Sequence, residues 1–148
     1  MKTAICYFSY HYGNTLKVAE AMAEAGDVDL IDLRIRQTVH LEEYDCIGLA
    51  SGIYGFSVHK SVVDFARQYL PAKKPVFFVY TYGGAKGSGA KALYQIAAEK
   101  ECPVLGEFSC RGFNTFGPFK LFGGSGKGLP SEEDLRRAKA FYQDLCQK

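Results

Sequence analysis

Apolar residues along the chain fall into short runs separated by amphipathic stretches. Thr3–Phe8 (TAICYF), Tyr44–Ala50 (YDCIGLA) and Val76–Thr81 (VFFVYT) are continuous β-rich runs, the pattern of strands buried on both faces. Val28–Leu33 (VDLIDL) alternates apolar and polar positions, as an outer strand does, and Pro103–Phe113 also reads as a strand. Between them Asn14–Ala25 places Leu16, Val18, Ala19, Met22 and Ala23 at helical spacing, and Gly26 ends it. His59–Leu70 and Ser88–Lys100 are helical. Ser131–Leu145 opens with Ser131 and Asp134, close to a capping box, and carries an apolar stripe of Leu135, Ala138, Phe141, Tyr142 and Leu145. RIRQTVHLEE, between the second and third strands, leaves room only for a short helix or an irregular loop.

The order β-α-β-β-α-β-α-β-α predicts an α/β protein: a doubly wound, mostly parallel five-stranded sheet with helices on both faces. No repeat, charge block or linker divides the 148 residues, so one domain over residues 1–148 is expected. The longest apolar run is far short of a bilayer span, and the amino-terminal residues lack a signal-peptide pattern, so a cytoplasmic protein with no membrane span is expected. A net charge of +2 gives no argument for nucleic acid. Five cysteines without a CxxC argue against a disulfide framework and a zinc site; Cys6 and Cys46 lie in apolar runs and read as buried thiols.

In such sheets ligands bind beyond the carboxyl ends of the strands. Three loops lie there: SYHYGNT, SGIYGFSVH and YGGAKGS. A receiver domain needs an acidic phosphoryl acceptor after the third strand, where this chain has Ala50-Ser51. A low-molecular-weight phosphatase needs Cys-x5-Arg, which no cysteine here begins, and GGSGKGL lacks the first glycine and the hydroxyl of a Walker A loop. GSGAKA (Gly87–Ala92) fits GxGxxA, with Glu107 about twenty residues on, but it follows the fourth strand instead of the first.

SYHYGNT ends at a helix start, where exposed backbone N–H groups favour an anion. Ser9, Asn14 and Thr15 add neutral donors, Gly13 permits close approach, and no charged side chain lies between Tyr7 and Leu16. Gly13-Asn14-Thr15 resembles the phosphate loop of flavodoxins, with Ser9 as the strand-end hydroxyl and Tyr10, His11 and Tyr12 in place of a Thr-rich middle. The resemblance extends over the chain, and residues 112–138 resemble the carboxyl-terminal segment of a subgroup of small flavodoxin-like proteins.

The resemblance implies the strand order 2-1-3-4-5 and an FMN site built from Ser9, Tyr10, His11, Tyr12, Gly13, Asn14 and Thr15 around the phosphate. Ser51, Gly52, Ile53, Tyr54 and Gly55, with Thr81, Tyr82, Gly83 and Gly84, would hold the ring system. Ile53, Tyr54, Phe56 and Tyr82 offer walls, and Gly52 or Gly55 a peptide able to flip beside the flavin N5. It also implies an electron carrier between redox partner proteins, with no catalytic side chain and no metal. Two alternatives stay open: an NAD(P)H-dependent flavin reductase of quinones or similar acceptors, and a flavin-free interaction protein on the same fold. His11 and His59 are the candidate proton donors near the site. One feature departs from the usual acidic flavodoxin: the sequence pI is about 8.2, and Phe108–Ser131 combines five Phe with Arg111, Lys120 and Lys127 and no acid, which suggests a partner contact or a basic groove for NAD(P)H.

Overall fold

The structure is a computed structural model that describes residues 1–9, 13–35, 39–112 and 128–148. Strands β1 (Lys2–Phe8), β2 (Asp27–Asp32), β3 (Cys46–Tyr54), β5 (Val76–Tyr82) and β6 (Val104–Arg111) form a parallel sheet in the order β2-β1-β3-β5-β6. A two-residue strand, β4 (Ser57–Val58), pairs antiparallel with the end of β3. Leaving β4 aside, this is the expected 2-1-3-4-5 order. The alternating segment is the outer strand β2, and the continuous apolar runs occupy the interior. A 3-10 helix at Leu41–Glu43 occupies the stretch too short for a full crossover helix.

Helices α1 (Asn14–Ala23) and α4 (Glu132–Leu145) cover one face, and α2 (Lys60–Tyr69) and α3 (Lys91–Glu99) the other. The period of two in the strands feeds both layers. Ile5, Tyr7, Ala50, Phe77 and Val79 pack with Val18, Met22, Ala138 and Tyr142, while Cys6, Leu49 and Phe78 pack with Val62, Ala66, Leu93 and Ile96. Tyr142 is fully buried and donates its Oη hydrogen to Thr3 Oγ1 at 2.7 Å, which satisfies both hydroxyls and ties the last helix to the first strand. The capping box at the start of α4 is present: Ser131 Oγ accepts from Asp134 N, and the Asp134 carboxylate accepts from Ser131 N.

Two boundaries differ from the sequence expectation. The strand expected to end at Ala50 runs on to Tyr54 and turns back as a hairpin, Ile53 pairing with Val58 and Tyr54 with Ser57. Both turn residues have positive φ, 61° at Gly55 and 74° at Phe56, the geometry that suits the twist of a two-residue hairpin. The helix expected from Ser88 begins at Lys91, because Gly87 and Gly89 are left-handed and hold the preceding residues in turns.

Candidate functional site

The carboxyl ends of β1, β3 and β5 bring the three loops to one end of the sheet. At the first, Gly13 serves as N-cap of α1 with φ 68° and has no side chain to cap the helix. Asn14 and Thr15 are the first two residues inside α1, so neither is its N-cap, the plain alternative for this loop. Ser9, only 5% exposed, accepts the Leu16 N–H on Oγ at 3.3 Å and retains its own O–H as a donor. Thr15 and Thr81, both buried, share a hydrogen bond between their Oγ1 atoms at 2.9 Å. Only one of the two hydroxyls donates within the pair, so the other keeps its hydrogen for a further acceptor. This bond joins the first loop to the third. Neutral O–H donors at a helix start whose N-cap is a glycine and whose first turn holds no acid form a set that can receive an oxyanion. Tyr10, His11 and Tyr12 lie outside the described residues.

The second loop is tied down by hydrogen bonds and ring packing. Ser51 is fully buried; its Oγ donates to Gly52 O at 2.7 Å and accepts from His59 N at 2.8 Å, locking the hairpin base to the start of α2. Its hydroxyl is thereby engaged within the protein. Tyr54 folds back over Gly52, where an added Cβ would approach the Tyr54 Oη to 2.9 Å. The ring also stands edge-on to Phe8 and to His59, with centroids at 6.0 and 5.3 Å. His59 stacks on Phe8 at 3.8 Å, and its Nδ1 accepts the Ser61 N–H at 3.0 Å, capping α2. That cap needs an unprotonated Nδ1, and burial pushes the imidazole pKa below its ordinary 6.5. His59 is therefore a neutral helix cap within an aromatic cluster. Ile53 is half-buried, and Gly55 forms the turn.

In the third loop Tyr82 is half-buried with Lys86 Nζ 5.4 Å from its ring centre. Gly83 O accepts from Arg111 Nε at 3.2 Å, and Gly84 is exposed. Gly112, which the sequence pattern did not single out, closes this end: its N–H donates to Tyr82 O at 2.9 Å, and its missing side chain leaves the space filled by the Asn14 amide. No periodicity marks such a glycine, because its role is a contact between distant loops. Of the Phe-rich basic segment, Phe113, Phe116, Phe119, Phe122, Lys120 and Lys127 lie outside the described residues.

Three of the buried thiols are held protonated by their surroundings. Burial pushes Cys6, Cys46 and Cys110 up to about 12, so they stay protonated at neutral pH.

The geometry agrees with what the chain resembles. The model of a flavodoxin domain family matches residues 4–109. An uncharacterised protein from Methanocaldococcus jannaschii is 37% identical over 147 residues, covering 98% of each chain. Among solved structures, a flavodoxin from the domain Archaea superposes with a TM-score of 0.72 at 18% identity, covering 98% of this chain and 96% of that one. The Fusobacterium nucleatum flavodoxin bound to flavin mononucleotide gives 0.68 at 13% identity, covering 99% and 98%. With a sheet of the flavodoxin order and a family match over most of its length, the chain belongs to the flavodoxin domain family.

Proposed function

We propose that this protein binds FMN and passes electrons between redox partner proteins. The observation that carries the reading is the start of α1, whose N-cap is a glycine, surrounded by neutral hydroxyls and meeting two aromatic-bearing loops at the same end of the sheet. The donor set fits the group. Ser9, Gly13, Asn14 and Thr15, with the hydroxyl of Thr81 behind them, would hold the phosphate through O–H and N–H donors. Tyr10, His11 and Tyr12 complete that loop in sequence. Gly52, Ile53, Tyr54 and Gly55 would line one side of the ring system, with the Ser51 hydroxyl fixing their backbone. Tyr82 would line the other, and Gly83 and Gly84 would offer N–H groups to its polar edge.

The flavin supplies the electron-transfer chemistry, and the protein supplies binding, orientation and electrostatics. Phe8, Tyr54 and His59 pack ring against ring on the hairpin side of the site and would shield it from water. Neutral His59 carries its ring proton on Nε2, since Nδ1 is the acceptor in the cap. Among the described residues no helix is long and apolar enough to cross a membrane, which suits a carrier that meets its partners in solution.

An absorption spectrum of the purified protein, followed by anaerobic addition of NAD(P)H, tests this reading. A flavin spectrum that NAD(P)H alone leaves unchanged is expected. Rapid bleaching by NAD(P)H would make the protein a reductase instead, and a colourless protein that FMN does not restore would remove the flavin altogether.

A further inference from the structure

A tight hairpin turn with positive φ at both centres favours Gly or Asn, and this one carries Phe56. A left-handed backbone costs a residue with a Cβ about 1 kcal/mol. The ring recovers little by packing, for Phe56 is 77% exposed. The tip is nevertheless held in place. Ser88 N and Ser88 Oγ both donate to Phe56 O, at 2.7 and 3.1 Å, and Gly87 is the residue whose missing Cβ lets the two backbones meet. A strained backbone that presents an exposed ring on a fixed bracket points to a contact outside the molecule.

The charge around the tip says what kind of contact. Between Cys46 and Ala98 the chain has six cations, Lys60, Arg67, Lys73, Lys74, Lys86 and Lys91, against one acid, Asp64. Lys73 reaches Glu101, and Lys74 donates to the Glu42 and Tyr44 carbonyls at the amino end of the sheet. Lys60, Lys86 and Lys91 are exposed and form no ion pair with a described residue. They flank the hairpin. Lys60 lines a hollow of about 390 Å3 with Tyr54 and His59 on one side. Lys86 and Lys91 line another, of about 420 Å3, with Gly87 and Tyr94. Glu107 is the acid in the second hollow, where it accepts the Tyr80 hydroxyl at 3.3 Å. Elsewhere acids prevail: Asp27, Asp29 and Asp32 lie on β2 at the far edge, and Glu42, Glu43 and Asp45 precede β3 at the amino end.

We propose that the rim formed by Phe56, Lys60, Lys86 and Lys91 is the docking surface for an acidic one-electron carrier protein. Phe56 is its central apolar contact, and the lysines steer and orient the partner. The cations stand on both sides of an exposed ring instead of converging on one point, which matches a protein surface better than a single phosphate. The partner's role as electron donor or acceptor rests on the flavin reading above; the docking itself needs no bound flavin.

The test is an amide NMR titration of the 15N-labelled protein as purified, with an oxidised acidic two-iron ferredoxin as probe and basic cytochrome c as its opposite. The expected result is shifts centred on Phe56, Lys60, Lys86, Ser88 and Lys91 with the ferredoxin alone. The affinity should fall about tenfold or more from low to high salt. The K86E/K91E variant should bind about tenfold more weakly and lose most of that salt dependence, and F56A should weaken binding while keeping it. The amide spectrum of each variant reports directly whether it is folded. Equal binding of cytochrome c, shifts that map away from Phe56, or an unchanged affinity in K86E/K91E would overturn the proposal. So would shifts at these amides with NADPH but none with ferredoxin. The absorption spectrum decides the flavin reading separately, so the two failures are distinguishable.

Discussion

Two hydroxyls, one in the first turn of α1 and one near the end of β5, show how single residues set this site. Thr15 and Thr81 are buried and bonded to each other, so among the described residues each hydroxyl finds its partner in the other. Thr15→Val or Thr81→Val leaves a buried hydroxyl behind and should cost about 1–2 kcal/mol, whereas the double replacement should recover part of that loss. Urea midpoints at constant slope measure it. His59 gives a pH signature. Its pKa is lowered in the folded state, so on acidification the unfolded chain takes up the proton first. Its contribution is fully present above the ordinary value of 6.5 and is lost as pH falls through 6.5 toward the lower folded value. His59→Asn keeps a capping side chain but cannot titrate. The stability difference between wild type and this variant should therefore change between pH 7 and the mildly acid range. A difference independent of pH would mean that the imidazole is not held neutral.

Among the elements, the β3–β4 hairpin shows where sequence patterns lose information. Continuous apolar runs identified the interior strands, and alternation identified β2 as the outer one, because burial on both faces or on one leaves a direct mark. Gly55-Phe56 gives no comparable mark: a bulky residue with positive φ is an unusual choice at a hairpin tip, so SGIYGFSVH reads as a loop. Helix α3 starts three residues later than the sequence pattern predicts for a related reason, since the left-handed conformations of Gly87 and Gly89 are invisible to periodicity. The hairpin and this turn depend on each other, which can be measured. Gly55→Ala meets open space and should cost about 1 kcal/mol, from backbone strain alone. Gly87→Ala adds a collision with the Phe56 backbone and should cost at least about 2 kcal/mol. Equal costs in chemical denaturation would show that the tip is not braced on Gly87.

On the scale of the whole molecule, five parallel strands and two helix layers bring three sequence-distant loops to one end. Ser9, Gly13 and Thr15 were legible as an anion-type loop because hydroxyls and glycine directly precede an apolar helix. The Thr15–Thr81 bond, the stacking of His59 on Phe8 and the fit of Gly112 against Asn14 were not, since each joins residues far apart in sequence. The same topology separates charge, with lysines that form no ion pair with a described residue around the hairpin and acids toward β2 and the amino end. Binding of FMN to the flavin-free protein, followed by fluorescence quenching and by thermal unfolding, tests the central claim most directly. The account predicts saturable one-to-one quenching and a melting temperature that rises with FMN concentration, because a ligand of the folded state stabilises it by mass action. Unquenched FMN fluorescence and a melting temperature indifferent to FMN would contradict it.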